Sequence, residues 1–297
     1  MTESVLAALR IVLVEPAGAL NVGAIARVMK NMGLHHLVLV KPRCDRLGEE
    51  ARLMAVHAAD VLEGATVVST LPDALRGCQR AIATTARPRV ATVLESPRAA
   101  LPWLLEAAPQ ERGALIFGPE DRGLSNEELN YAQRFVAIPS HPAYAALNLA
   151  QAVAICCYEL YQWERDQPSA VSRQPSAATE NQALASAEAN IQPLNHPPLS
   201  PTPHSPLPTP YSPPVSLDAL EGYYQHLEAM LLAIGYLHPH TAASRMQKFR
   251  RLLNRALPSS DEVTMLRGIL SQVEWATQKA NQRKIEADHD HNAADKS

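Results

Sequence analysis

Several features that define other protein classes are scarce or absent in these 297 residues. The four cysteines form no Cys-x-x-Cys spacing, and Cys156 and Cys157 are adjacent inside an apolar run. This usage is typical of a reduced cytoplasmic protein, so we expect neither a disulfide framework nor a bound metal. No run of about 18 apolar residues occurs, and the sequence therefore predicts no membrane-spanning helix.

An excess of basic residues is also lacking. The net charge is −3, which argues against a histone-like protein that coats nucleic acid. The amino-terminal segment has no basic region ahead of its apolar stretch and carries Glu3 instead, so we expect a cytoplasmic rather than a secreted protein. The pattern Gly-x-Gly-x-x-Gly is absent, which excludes the common dinucleotide-binding fingerprint.

Proline is abundant in one place. Residues 166–215 hold 12 of the 24 prolines and few large apolar side chains, so this segment cannot bury enough surface to offset the entropy of ordering it. We interpret it as a disordered linker; the alternative is a proline-rich ligand for a partner domain. It separates a first domain, 1–165, from a basic segment, 216–285, with net charge +3, and a short acidic tail, 286–297, is expected to be frayed.

The first domain alternates between two periodicities. Short apolar runs of strand length occur at 10–14, 37–40, 65–68, 81–84, 114–117 and 135–138. Helical patterns separate them at 22–32, 48–59, 72–77, 126–132 and 146–161. Apolar strands separated by helices predict an α/β fold, a mostly parallel sheet with helices on both faces. Residues 216–285 predict three helices, at 217–234, 241–255 and 261–284, with prolines between them.

The first candidate site lies between the first strand and the first helix. Asn21 is a good residue to cap the helix, and Gly23 permits close approach of another backbone. Arg27 follows about two turns into an otherwise apolar helix, where its guanidinium could bind a phosphate; the alternative is an ordinary surface arginine. Ligands of parallel sheets bind at the carboxyl ends of the strands, which is the end that this segment occupies.

Two further candidate sites also follow strands. After the strand at 114–117, Ser125 and Glu128 have the spacing of a capping box, and Glu120 needs a partner, for which Arg27 is the nearest chemical candidate. After the strand at 135–138, Asn148 is the lone polar residue at the start of a small, apolar helix. His141 could act as a base, but a loop histidine between prolines is more often a surface residue.

These three segments together resemble the SPOUT superfamily, in its SpoU-like branch of RNA 2′-O-methyltransferases. The first resembles a motif with asparagine and arginine six residues apart, the second a Gly-x-Glu-x-x-Gly block, and the third a Leu-Asn helix start. The carboxyl-terminal segment is similar to the helical extension of one group in that branch, the tRNA (cytidine/uridine-2′-O-)-methyltransferases. That similarity rests on residues 223–228, 232–236, 250–255 and 266–270.

The resemblance implies a fold, an activity and a set of site residues. It implies a trefoil knot in the carboxyl-terminal part of the sheet domain, a homodimer with its sites at the subunit interface, S-adenosylmethionine as cofactor, and tRNA as partner. The activity implied is methylation of a ribose in the anticodon loop, with the cytidine or uridine at position 32 the expected target. Arg27 is implied as catalytic with Asn21, supported by Glu120 and Asn148. The implied cofactor-binding residues are Thr84, Thr85, Ala86, Gly118, Ile138, Ala145, Ala146 and Leu147.

One position departs from the family pattern. Many relatives have serine immediately before the Leu-Asn pair, where this chain has Ala146. The lost hydroxyl motivates one alternative, a homologue that binds cofactor and RNA without turnover. A second alternative is a related enzyme that methylates rRNA.

The helical segment is expected to bind the RNA backbone. We interpret its basic cluster as a surface that follows phosphates, rather than an ordinary solvated helix face. The cluster consists of Arg245, Lys248, Arg250, Arg251 and Arg255.

Overall fold

A computed structural model describes residues 4–86, 93–106, 111–167 and 213–294, and of residues 280–294 only the backbone. Contacts group Met1–Glu164 with Ser212–Ser297 in one unit and Arg165–Tyr211 in a second. Most of the expected linker, 166–215, therefore lies outside the described residues, and the domain boundaries stay predictions. No helix of the described part has both the length and the apolar character that crossing a membrane requires.

Seven strands form one sheet in the order β3-β2-β1-β6-β4-β7-β5, and every pairing is parallel. The α/β class predicted from the alternating periodicities is confirmed. Six strands were predicted within one or two residues of their bounds, whereas β5, with two residues, is too short to show a periodicity. The strands are β1 (Arg10–Val14), β2 (His36–Val40), β3 (Thr66–Val68), β4 (Arg80–Thr84), β5 (Leu94–Glu95), β6 (Gly113–Phe117) and β7 (Arg134–Val136).

Helices cover both faces of this sheet. Alternate residues of β1 show this: Ile11 and Leu13 belong to one apolar cluster, and Val12 and Val14 belong to a second on the opposite face. Burial on both faces explains why the strands are continuously apolar. The trefoil knot stays a prediction. The helices of this domain are α1 (Ala19–Asn31), α2 (Glu49–Ala55), α3 (Ala59–Glu63), α4 (Leu71–Ala74), α5 (Pro97–Ala100), α6 (Pro102–Leu105), α7 (Asn126–Leu129) and α8 (Leu149–Asp166).

Three helices follow the linker and form the helical module: α9 (Leu217–Ala233), α10 (Pro239–Ala256) and α11 (Ser260–Ala294). They share an apolar cluster that includes Tyr224, Met246 and Leu270. Helix α11 continues to Ala294, so the tail expected to be frayed is helical over most of its length. Alanine, lysine, glutamate and glutamine dominate residues 278–287, and their high helix propensity accounts for the continuation.

The helical module is bonded directly to the sheet domain. The Leu217 amide donates to the Cys78 carbonyl at 2.8 Å, and the Gly77 amide donates to the Asp218 carboxylate at 2.9 Å. The buried Asn254 side chain donates to the Asn130 carbonyl at 3.0 Å. On the sheet domain, all three bonds involve backbone groups beside α4 and α7. They therefore fix the module against one face of the sheet.

Candidate active site

All strands of this parallel sheet end at the same edge, and the loops that follow β4, β6 and β7 enclose a cavity of about 210 Å³ there. All eight residues that the family resemblance implied for the cofactor line this cavity. They come from three loops that are distant in sequence but adjacent at the edge. These residues are Thr84, Thr85, Ala86, Gly118, Ile138, Ala145, Ala146 and Leu147.

The segment from Gly118 to Leu124, here called the cofactor loop, forms one wall and is tightly folded. A Cβ added at Gly118 would lie 2.3 Å from the Leu124 backbone nitrogen, which leaves no room for any side chain. Gly123 has φ +66°, a left-handed conformation that glycine adopts without strain, and its amide donates to the Pro119 carbonyl at 2.9 Å. The glycine spacing seen in the sequence is therefore a requirement of this turn.

A chain of three polar side chains begins at Glu120, which lines the cavity, and continues through Asn21 to Asn148. Asn148 Nδ2 donates to Asn21 Oδ1 at 3.0 Å, and Asn21 Nδ2 donates to Glu120 Oε1 at 2.8 Å. Asn148 Oδ1 in turn accepts from the amides of Ala150 and Gln151, at 2.9 and 3.3 Å, which caps α8. The structure thus brings together three of the four residues expected to be catalytic and fixes the orientation of both amides.

Asn21 is not the cap of α1, as the sequence suggested. The helix starts at Ala19 after Gly18, so Asn21 lies in its first turn with its side chain free to reach Glu120. Glu120 performs part of the capping instead, because its carboxylate accepts from the amides of Ala17 and Gly18, at 3.1 and 3.2 Å. Carboxylates are favoured at helix amino termini, where unpaired amides point outward.

The same contacts stabilise the ionised form of Glu120. Its partial burial opposes ionisation, but the hydrogen bonds from Asn21, Ala17 and Gly18 outweigh burial and lower its pKa below the usual 4.5. At neutral pH a fixed negative charge therefore lies on the cavity rim.

Arg27 does not pair with Glu120, and this prediction was wrong. Its side chain is exposed and forms no hydrogen bond or ion pair with the described residues. Helix geometry explains the difference, since six residues turn the chain about 240° and place Arg27 on another side of α1 from Asn21. The guanidinium is left available to a group outside the Glu120–Asn21–Asn148 chain.

The segment after β7 is exposed from His141 to Asn148, yet it is internally bonded. Ser140 Oγ donates to the Ala145 carbonyl at 3.0 Å, so a hydroxyl holds this segment although position 146 has none. His141 Nδ1 accepts from the Ala143 amide at 3.3 Å, and His141 is absent from the described cavity wall. This arrangement fits the surface interpretation of His141 rather than the base.

Sequence reasoning missed three ion pairs beside the cavity, made by two arginines. Arg43, in the loop after β2, contacts Asp121 at 3.0 Å. Arg122 contacts Glu128 at 2.9 Å and Glu15 at 3.2 Å. Runs of alternating charge at 41–46 and 120–122 were visible, but pairing them requires the strand order, which the sequence does not provide.

The expected RNA-binding cluster divides into two faces of α10. Arg245, Lys248, Arg251 and Arg255 are exposed. Arg250 points inward, contrary to the prediction: it forms a two-bond ion pair with Glu221, and its guanidinium lies 4.5 and 5.5 Å from the ring centres of Tyr224 and Tyr131. The position of Arg250, about 140° around the helix from Arg245, was available from the 3.6-residue period.

A second, larger cavity of about 790 Å³ lies at the opposite edge of the sheet, near the amino ends of β1, β2 and β6. Its wall includes Arg10, His36, Glu111 and Arg112. None of the predicted site residues lines it. The chemistry inferred from the sequence is therefore gathered at the smaller cavity.

Residues 8–158 match the SpoU rRNA Methylase family, which is more than half of the chain. The chain therefore belongs to the SpoU methylase family and is a methyltransferase. Residues 218–284, the helical module, match the C-terminal domain of the tRNA methyltransferase TrmJ, which places the chain in the TrmJ group of that family.

Curated relatives agree over nearly the whole length. The chain is 36% identical to tRNA (cytidine/uridine-2'-O-)-methyltransferase TrmJ of Klebsiella pneumoniae, over 90% of this chain and 96% of that protein. It is 37% identical to TrmJ of Escherichia coli K12, over 90% and 95%. Both proteins match the sheet domain and the helical module together.

Solved structures extend the agreement to three dimensions. Crystalline TrmJ from Z. mobilis superposes with a TM-score of 0.70 at 29% identity, covering 90% of this chain and all of that one. A methylase family protein from Neisseria gonorrhoeae gives a TM-score of 0.52 at 38% identity, covering 57% and 87%. The fold expected from the resemblance is thereby confirmed in its sheet and helices.

Proposed function

We propose that this chain transfers a methyl group from S-adenosylmethionine to a ribose 2′-hydroxyl in the anticodon loop of tRNA. The observation that carries the proposal is the meeting of the eight implied cofactor residues at one cavity, whose wall also includes Glu120, the first member of the Glu120–Asn21–Asn148 chain. A tRNA substrate also supports the expected cytoplasmic location.

The cavity suits a nucleoside cofactor with a cationic centre. Its wall combines apolar side chains with loop backbone, and the ionised Glu120 on the rim favours a positive charge. The cavity volume of about 210 Å³ is less than the roughly 300–1,000 Å³ of most small-molecule pockets. A nucleoside cofactor would therefore extend beyond the mouth of the cavity, where the substrate must arrive. Bound there, S-adenosylmethionine would supply a methyl group already activated by its sulfonium.

The protein must then align the ribose oxygen and accept the charge that develops on it. Arg27 is the candidate for this role, because its guanidinium is exposed and unpaired among the described residues. A guanidinium is a poor base in water, so we infer that Arg27 binds the adjacent phosphate and stabilises the forming alkoxide, while the hydroxyl proton passes to solvent water. As the oxygen bonds to the methyl carbon, the bond from that carbon to sulfur would break and leave a neutral thioether. A desolvated arginine that accepts the proton is the competing mechanism, and the pH–rate profiles of wild type and Arg27→Lys distinguish the two.

A second copy of the chain would complete this site. Arg27 lies on another side of α1 from the polar chain, so one subunit's arginine can serve its neighbour's cavity. Exposed apolar side chains on α1, α8 and the preceding loop provide a surface for the homodimer. These side chains are Leu20, Tyr144, Leu147, Ile155 and Tyr158.

Mixing two inactive variants tests the shared site. Arg27→Ala and Glu120→Ala homodimers are each expected to be inactive, and mixed dimers are expected to regain activity, because one of their two sites carries both residues. Mixed dimers without activity would contradict sharing between subunits.

The exposed basic face of α10 is proposed to bind tRNA phosphates. Replacing Arg251 and Arg255 by alanine is expected to weaken tRNA binding and to lower its salt slope by about 2, since each lost phosphate contact removes about 1. Arg245→Ala is a less useful variant, because its guanidinium also donates to the Tyr236 carbonyl. Unchanged tRNA affinity at low salt would contradict this surface.

The decisive experiment is transfer of labelled methyl from S-adenosylmethionine to unmodified tRNA, with anticodon-loop riboses replaced singly by 2′-deoxyribose. Loss of transfer with one substitution identifies the reaction and its ribose together. Binding of cofactor and tRNA without transfer would favour the non-catalytic homologue motivated by Ala146, and Ala146→Ser would then be the next variant. Preferential methylation of rRNA would favour the second alternative.

A further inference from the structure

Three consecutive residues of the cofactor loop each form hydrogen bonds or ion pairs with a different part of the structure. Glu120 binds the start of α1 through Ala17, Gly18 and Asn21. Asp121 pairs with Arg43 after β2, and Arg122 reaches both the end of β1 and α7. Of these three residues only Glu120 belongs to the Gly-x-Glu-x-x-Gly motif that identified the site.

Arg122 forms the more extensive of the two remaining fastenings. Its Nη1 and Nη2 donate to the two oxygens of Glu128, at 2.9 and 3.0 Å, and Nη2 also donates to Glu15 at 3.2 Å. A planar guanidinium can bridge two carboxylates in this way, whereas an ammonium acts as a single point charge. The hydrogen bonds that Arg122 donates to Glu128, opposed by partial burial and assisted by those to Glu15, raise the pKa of Arg122 above its usual value.

Both partners of Arg122 are themselves fixed. Glu128 closes the capping box of α7, where it accepts from the Ser125 amide at 2.6 Å. Glu15 has φ +46°, a backbone conformation that is uncommon outside glycine. Its amide donates to the Val40 carbonyl at 2.7 Å and its carbonyl accepts from Arg43 Nε at 3.1 Å, so neighbouring segments hold it in this conformation.

We propose that Arg122 is a positioning residue for the cofactor. Arg122 lines the cavity, and its bridge between Glu15 and Glu128 holds the cofactor loop in the conformation that forms the cavity wall; the Arg43–Asp121 pair provides a second fastening on the same loop. The identity of the ligand rests on the proposed function, but the restraint on the loop does not.

Titration calorimetry with S-adenosylmethionine tests the proposal. Arg122→Ala is expected to raise the Kd about tenfold, because a loop freed to move must be ordered again on binding, while kcat at saturating cofactor stays within about twofold. The Kd of Arg122→Lys is expected to lie between those of wild type and Arg122→Ala, since lysine can pair with only one carboxylate at a time. Removing Glu15 as well is expected to add less than its separate effect, which is the signature of residues that act as a pair.

Arg98→Ala is the matched control. Arg98 also makes a two-bond pair with a largely buried glutamate, Glu159, but it lies on α5 and outside the cavity wall. The Kd of the Arg98→Ala variant for S-adenosylmethionine is expected to stay within about twofold of the wild-type value. An unchanged Kd in Arg122→Ala, or an equal rise in Arg98→Ala, would overturn the positioning role.

Amide hydrogen exchange separates this proposal from the proposed function, because it needs no ligand. Exchange at Gly123 and Leu124 is expected to speed up in Arg122→Ala and not in Arg98→Ala. If the wild-type protein bound no S-adenosylmethionine, the proposed function would be contradicted. The hydrogen-exchange rates would still test whether Arg122 restrains the cofactor loop. Unchanged exchange in Arg122→Ala would overturn the restraint even in an active enzyme.

Discussion

The two edges of the sheet each carry a cavity and a group of charged side chains, but the charges serve different ends. At the amino edge, Arg10 donates to the carbonyls of Ala74 and Arg76, and buried Arg80 pairs with buried Glu111 at 3.4 Å. At the carboxyl edge, Arg43 and Arg122 also pair with carboxylates, but their pairs hold the loop whose residues Glu120, Asp121 and Arg122 line the smaller cavity. The amino-edge cavity has nearly four times the volume, so size alone would have selected the edge that holds none of the predicted site residues.

The difference follows from chain direction. In a parallel sheet every strand delivers its following loop to the carboxyl edge, where loops from distant parts of the sequence meet. Such loops supply backbone and side chains without disturbing the packed strands. At the amino edge, Arg10 donates to backbone carbonyls and Arg80 forms a buried ion pair with Glu111, so we interpret both arginines as structural. Four substitutions test this division, in order of decreasing effect.

The largest effect is expected at the amino edge and on stability. Arg80→Ala leaves the Glu111 carboxylate buried without its ion pair, and breaking such a pair typically costs about 3–5 kcal/mol. Denaturant unfolding should show this loss, while cofactor affinity of the folded fraction stays at the wild-type value. A stable variant with impaired cofactor binding would instead assign Arg80 to a functional site.

The second effect is expected on catalysis. Arg27→Ala is expected to lower kcat by about 10²–10³-fold, the usual result of removing a group that stabilises developing charge. Cofactor affinity should be unchanged, because Arg27 does not line the cavity. Arg10→Ala is the control from the opposite edge, with kcat expected within about twofold. Near-full activity in Arg27→Ala would contradict every catalytic role proposed for it.

A smaller effect is expected from Glu120→Gln, which keeps the shape but removes the charge. Hydrogen bonds to charged groups contribute about 1.5–3 kcal/mol, so kcat/KM should fall about 10–100-fold. The glutamine amide can accept fewer of the donors that Ala17, Gly18 and Asn21 direct at Glu120. Wild-type kcat/KM in this variant would show that the polar chain needs no charge.

The smallest effect is expected in the pH dependence of stability, because the two edges carry groups that titrate in different pH ranges. Burial and the nearby Arg10 and Arg112 lower the pKa of His36 below 6.5, so the folded state resists its protonation and stability falls as pH drops below 6.5. The pKa values of Glu120 and Glu128 are lowered from 4.5, so their contribution is complete above 4.5 and is lost as pH falls through the lowered values.

Thermal unfolding from pH 8 to pH 3 measures both windows. His36→Asn is expected to remove only the decline that begins near 6.5, and Glu120→Gln is expected to reduce only the decline below 4.5. A variant that altered both windows would show that the two edges are coupled through the sheet.

Sequence reasoning recovered most of the local structure. Strand bounds and the Ser125–Glu128 capping box follow from patterns that extend over a few residues, whereas the residues around the cavity came from the family resemblance. The missed contacts all depend on strand order or helix rotation. Glu120 was assigned to Arg27 because charge was considered without rotation, and Arg250 was assigned to RNA although the helical period turns it toward Tyr224.

The strand order also determines when the protein can fold. β6 lies between β1 and β4, and β7 lies between β4 and β5, so the centre of the sheet consists of strands made late. At about 5–20 residues per second, a ribosome needs roughly 7–27 seconds to complete the first 136 residues. Before β6 and β7 are made, β1 has only β2 beside it and β4 has neither of its two neighbours, so both strands expose apolar edges. In this interval the nascent chain most needs protection from aggregation.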